Sequence, residues 1–384
     1  MDSNNENKEV NTMPKPLFNA SWVLFIALIG IGWVLNYQLF DVFSIREYLT
    51  VNLYAYIATA LILGFIVSVI VYGLSKLIGG KILKAKLVYA SFFFLHFRNI
   101  DGKIKFYFSF SIDGIGTEVK MIPINESSFK WKKYFKAGTM GSIVYAAVMV
   151  VSLFIINFFD KQIAYFLLIM ALYVPFIITA MTMPYRTESF SDGFIAHHIK
   201  DEKVRKIYYI NLQNELNIYS SQCELVYVDV NNEDYDPIVI HAYLYNYYYL
   251  LDKEDYYLLK KTCDQIVRKE KYFVDRSVVS LGYIGKFYLM SLDASVDAIS
   301  DYYWSLESNV RHILQYRSSL DSMKTALYIA GFLDVAWELY SSIKRAYDNN
   351  VKSYPYQGRV EKEKKLIQNM ILKIEEKNPE WKDE

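Results

Sequence analysis

Apolar residues crowd into the first half of the chain, in four stretches that carry no charge: 16–40, 50–75, 139–159 and 162–185. Each meets the roughly 20 residues a helix needs to cross a bilayer. The first is too long for a simple signal-peptide core and has no small-residue cleavage site before Asp41, so it reads as a span. Between the second and third stretches the period changes. Over 103–112, Ile104, Phe106, Phe108, Phe110 and Ile112 alternate with Lys103, Lys105, Tyr107, Ser109 and Ser111, the period of a half-buried strand. Asp101-Gly102 is a turn signal before it, and 87–97 is the expected partner strand. An amphipathic β-hairpin at about 87–112 is therefore predicted at the membrane surface, its phenylalanine face against helices or lipid.

From about residue 200 the pattern becomes charged and helical. Helices are predicted over 203–221, 238–251, 255–269, 277–292, 296–306, 320–349 (broken near Gly331) and 357–377. Paired helices with short connections predict an all-α, tetratricopeptide-like domain, by pattern and without a strict repeat consensus. The fold predicted is thus an α-helical integral membrane protein: a disordered tail over 1–15, a four-span domain with a cytosolic-side β-hairpin over 16–199, and a helical cytosolic domain over 200–384. Tyr243, Tyr245, Tyr247, Tyr248 and Tyr249 cover every face of one of its helices, which predicts either packing between helices or an exposed binding groove.

Composition sharpens this picture. A hydrophobic fraction of 53% coexists with 22% charge because the two are segregated along the chain. Net charge is only +1, which gives no footprint for nucleic acid. Two cysteines and no C-x-x-C pair argue against a disulfide framework or a thiolate metal site. Twelve Lys and Arg residues lie between Lys76 and Lys136, whereas the opposite connections carry Arg46 and Lys161. Positive residues stay in the cytosol, so a multi-pass cell-membrane protein with both termini cytosolic is predicted. Trp131, Tyr134 and Phe135 interleave with Lys130, Lys132, Lys133 and Lys136; Trp131, Lys132 and Lys133 read as an interfacial anchor.

Three segments then resemble the site-2 protease family of intramembrane zinc metallopeptidases. Ile70-Val71-Tyr72-Gly73-Leu74-Ser75-Lys76-Leu77-Ile78-Gly79-Gly80-Lys81 is similar to that family's zinc-motif stretch. Phe108 to Gly116 with Pro123 resembles the Gly-rich end of its hairpin, and Ser191-Asp192-Gly193 resembles its Asp-Gly motif. The resemblance covers about residues 50–200 and implies a degenerate Gram-positive bacterial member. Where H-E-x-x-H is expected, this chain has Tyr72, Gly73 and Lys76, and only Asp192 remains of the implied first shell. Tyrosine is a poor zinc ligand, an ammonium repels the cation, and glycine takes no proton. No metal or other cofactor is expected, and no catalytic activity.

If the scaffold is kept, Lys76 falls near Asp192, and an ion pair between them is predicted as a substitute for the metal's charge. The alternative is a lysine reaching the headgroups. The expected function is that of a pseudo-metallopeptidase whose partners are the lipid bilayer, a membrane segment or apolar peptide in the span groove, and a cytosolic protein on the helical tail. A setting in peptide or bacteriocin export, maturation or immunity is what the resemblance implies. The competing reading is a peptidase with a displaced metal site built from Asp192, His96 and His197 or His198. Nucleotide-binding and serine-hydrolase motifs are absent, and uncharged spans argue against a transporter.

Overall fold

The computed structural model describes residues 53–108, 117–156, 159, 161–182, 191–273, 275–317 and 319–382. The predicted tail 1–15 and first span 16–40 lie outside the described residues. The chain divides into two compact units that meet between Arg205 and Lys206.

Unit 1 is organised on helix α1 (Leu53–Ile82), whose 30 residues span roughly 45 Å. The strands β1 (Ala85–Phe92), β2 (Leu95–Ile100), β3 (Lys103–Phe108) and β4 (Thr117–Pro123) follow, then the short helix α2 (Trp131–Phe135). Helices α3 (Ala137–Ile156), α4 (Lys161–Thr182) and α5 (Asp192–His198) complete it. Two segments are long and apolar enough to cross a membrane, Ala58–Ile82 and Ala137–Ile156; in α4 the apolar stretch is the shorter Phe166–Thr179. Among the described residues the predicted count of four spans is therefore not reached. Only 6% of the Ala137–Ile156 window is buried, so its apolar residues are not those of a soluble core helix. The helices touch through small residues: a Cβ on Gly138 would lie 2.5 Å from the ring of Tyr72, which glycine alone lets α3 approach.

The four strands form one antiparallel sheet in the order β3-β2-β1-β4. This corrects the predicted hairpin. The expected partner strand 87–97 is two strands, folded back at Phe93-Phe94, with Phe93 in the left-handed region at φ 53°. The aromatic run 92–94 hides that turn, because it contains none of the usual turn residues. Asp101-Gly102 does turn, at φ 51° and 78°, the signs a type I′ hairpin needs. Phe93 packs edge-on against Phe65 at 6.1 Å, while Met121 of β4 abuts Gly80. Fifteen helical residues separate those contacts, so the sheet runs along roughly 22 Å of α1. The β3 face of Ile104, Phe106 and Phe108 reaches past the helix and is exposed.

Unit 2 contains helices and no strand among its described residues. Helix α6 (Glu202–Ile218) leads into it, followed by α7 (Pro237–Ile240), α8 (Ala242–Asp252), α9 (Tyr256–Arg268) and α10 (Arg276–Asp293). Then come α11 (Val296–Ser305), α12 (Ser308–Leu314), α13 (Leu320–Tyr328), a π-helical turn Ile329–Leu333, α14 (Trp337–Ser353) and α15 (Val360–Lys377). Asp236, Asp255, Asp275 and Ser295 cap helix starts through their side chains, which fixes four of the boundaries. The extended connection before Pro237 is held by two asparagines. Asn214 exchanges two hydrogen bonds with the backbone of Val226, and Asn246 does the same with Val228. Tyr243, Tyr245, Tyr247 and Tyr248 are buried, so packing and not a groove explains the crowding there.

Candidate functional site

Tyr72 and Lys76 sit one turn apart on α1 and so share a face. Asp192 opens helix α5, whose start is fixed by Ser191: its hydroxyl accepts from the Phe194 amide at 3.2 Å. The two helices bring the three side chains together. Lys76 Nζ lies 2.6 Å from Asp192 Oδ1, and the Tyr72 hydroxyl donates to Asp192 Oδ2 at 2.5 Å. All three residues are at most 5% exposed. The Lys76 ammonium is also 5.0 Å from the ring centre of Tyr134, 5.6 Å from that of Tyr72 and 5.7 Å from that of Phe135. Ring faces attract a cation, so the ammonium has a carboxylate on one side and aromatic π-density on others. Lys76 therefore does not reach out to headgroups.

This geometry does not fit zinc. Both oxygens of Asp192 already accept charge-assisted or phenolic hydrogen bonds, and a cation there would meet the ammonium at hydrogen-bond distance. Position 73 is closely packed as well: a Cβ on Gly73 would come 2.3 Å from Phe92 Cε1 and 2.9 Å from Thr117 Oγ1. Glycine at 73 is what lets β1 and β4 close against α1. A side chain at 73 would have to displace Phe92 and Thr117.

Among the described residues no group of three or more His, Cys, Asp or Glu could hold a metal ion. His96 stacks on Tyr107 at 5.2 Å and its Nδ1 shares a 2.7 Å hydrogen bond with the Tyr89 hydroxyl. His198 stacks on Phe194 at 4.1 Å, and His197 lies beside it at a steep angle.

The interfacial anchor takes a different form. Lys132 and Lys133 are exposed, but Trp131 is buried, packed on Phe129 at 4.8 Å and stacked with Phe135 at 6.1 Å. Positions 131, 134 and 135 fall on one side of a helical turn, so α2 is a small amphipathic helix that turns its aromatic residues inward. Those inward rings form part of the Lys76 surround, a role the sequence pattern did not reveal. The Tyr72 hydrogen bond was also missed, although its i, i+4 spacing from Lys76 was the available signal.

Compared with protein-family models, with curated proteins and with solved structures, the chain has no match in any of the three.

Proposed function

We propose that unit 1 is a site-2-protease-like membrane scaffold without protease chemistry, and that the protein works by binding. The observation that carries this reading is the closed Tyr72–Asp192–Lys76 clasp, formed at the positions where the resemblance calls for a metal site. A lysine ammonium in place of the metal keeps the positive charge Asp192 needs while removing the Lewis acid and the activated water. The steric closure at Gly73 points the same way. Of the histidines in the competing reading, His96 and His198 stack on Tyr107 and Phe194.

In this reading the apolar faces of α1 and α3 lie in the bilayer with a further span at 16–40 and α4 as the fourth. The lysine-rich connection and both termini are cytosolic. The groove beside α1 holds a transmembrane segment or apolar peptide without cutting it, and the tetratricopeptide-like stacking of the tail helices recruits a cytosolic partner. A place in peptide or bacteriocin export, maturation or immunity is the setting that the resemblance favours. Affinity purification from native membranes in mild detergent, with mass spectrometry of what accompanies the protein, tests the binding role. A membrane protein or small hydrophobic peptide at near-equal amount is expected. Recovery of the chain alone in every detergent, together with peptidase activity that Asp192→Asn abolishes, would sink the proposal.

A further inference from the structure

We propose that the lysine-rich end of unit 1 is a docking surface for the anionic phospholipid headgroups of one bilayer leaflet. The proposal rests on the membrane reading above and adds a lipid class to it. Lys81 and Lys84 close α1, Lys86 begins β1, and Lys132, Lys133 and Lys136 line the outer side of α2 and its end. All six are exposed, and none is in an ion pair among the described residues. The fold gathers them from two segments about fifty residues apart. Gly79 lies against Ala137, where a Cβ on the glycine would come 2.6 Å from that of the alanine, and the Ile124 amide donates to Lys84 O at 3.1 Å. Described acids between Lys81 and Lys136 are few: Asp101, Glu118 and Glu126, of which Glu118 already holds Lys120 at 3.3 Å.

What lies beside the lysines identifies the polyanion. Ile78 and Ile82 on α1 are 58% and 74% exposed, and Met140 and Ile143 on α3 are 59% and 57% exposed. Lys81 is adjacent to Ile82, and Met140 donates its amide to the Lys136 carbonyl one turn away. Exposed apolar surface thus gives way to exposed lysine within a turn on both helices. A soluble polyanion covers only the charged part of such a surface. A leaflet covers both, with acyl chains on the apolar side and phosphates on the lysines. The buried Trp131, Tyr134 and Phe135 hold α2 in place, so these lysines are carried on a fixed element. Lysine, a compact point charge on a long stem, suits mobile headgroups better than a bidentate fork would.

The test uses the full chain, extracted in neutral detergent from membranes of mixed phosphatidylglycerol and phosphatidylcholine, with co-purifying lipids counted by mass spectrometry. Phosphatidylglycerol is expected to be enriched several-fold over its bulk ratio. Each lysine near a charged leaflet is worth about fivefold in partition. Lys132→Gln with Lys133→Gln should lower the enrichment clearly, and Gln at all six positions should abolish it. Arg at all six should keep it, which separates charge from misfolding. Bulk lipid ratios around the unaltered protein, or enrichment unchanged by the paired Gln variant, overturn the proposal. Release of the unaltered protein from membranes by alkaline carbonate would overturn the membrane reading first, and this proposal with it.

Discussion

Lys76 meets one carboxylate among aromatic rings, whereas Lys324 in unit 2 meets Glu363 inside a web of buried charge. There Arg359 Nη2 also donates to Glu363 at 3.0 Å, while Arg359 Nη1 reaches Asp252 and the Tyr248 carbonyl. Lys362 holds the second Asp252 oxygen at 3.1 Å, and the Tyr354 hydroxyl donates to Asp321 at 3.1 Å. Lys324, Arg359 and Glu363 are fully buried. The web ties together the end of α8, helix α13 and the start of α15, so its groups serve to fasten the closing helix. The unit 1 pair ties one helix to one short helix through a single carboxylate. Similar chemistry therefore has different consequences: three helices fastened through shared buried charges in unit 2, and one helix pair held through a single carboxylate in unit 1.

The largest effect should come from cutting the web at its centre. Arg359→Ala leaves Glu363 and Asp252 short of a partner, and breaking a buried pair costs about 3–5 kcal/mol. Hydrogen exchange on the full chain should show loss of protection in α15 first. An unchanged profile would mean that the web is not what holds α15.

Lys76→Met should cost somewhat less, about 3 kcal/mol, because Tyr72 still donates to Asp192. Exchanging the charges, with Lys76→Asp and Asp192→Lys together, sharpens the contrast. Folded yield in detergent should fall for each single change and recover in part for the exchange. An exchange that restores nothing would contradict an isolated pair.

The third prediction concerns pH. Burial, and then the neighbouring Glu363, push Asp321 from its ordinary 3.8 up to about 6. Burial would raise Glu363 too, but Lys324 and Arg359 hold it below its ordinary value. The signs are opposite. A raised carboxylate contributes stability that is full below its unfolded pKa and is lost as pH rises through about 6. A lowered one contributes stability present above its unfolded pKa and lost as pH falls. Unfolding of unit 2 should therefore be hardest at about pH 4, and Asp321→Asn should flatten the decline above it. A decline that survives this change must come from other groups.

Smallest is Tyr72→Phe, which removes one hydrogen bond to a charged group and should cost about 1.5–3 kcal/mol without loss of fold. A thermal unfolding series in detergent measures it, and no shift at all would show that the phenol is not engaged.

What the sequence made legible follows the strength of local periodicity. Most tail helices were readable from their helical period of apolar and charged residues; Ser308–Leu314 was not, being only 7 residues long. Strand β3 was readable as alternation, but β4 was not read, and neither was the turn at Phe93-Phe94, since a phenylalanine in the left-handed region carries no composition signal. Lys76 and Asp192 were legible because the resemblance aligned them across a separation of 116 positions. Tyr134 and Phe135 around the ammonium were not, because only tertiary packing brings α2 there. The asparagine pairs that hold 226–228 belong to the same class of long-range contact.

Metal content tests the central claim most directly. The full chain, purified without chelator, equilibrated with excess zinc and desalted, should hold far less than one zinc per molecule, and Asp192→Asn should leave that content unchanged. One zinc per molecule that disappears with Asp192→Asn would show that the carboxylate serves a metal, and the clasp account would fail.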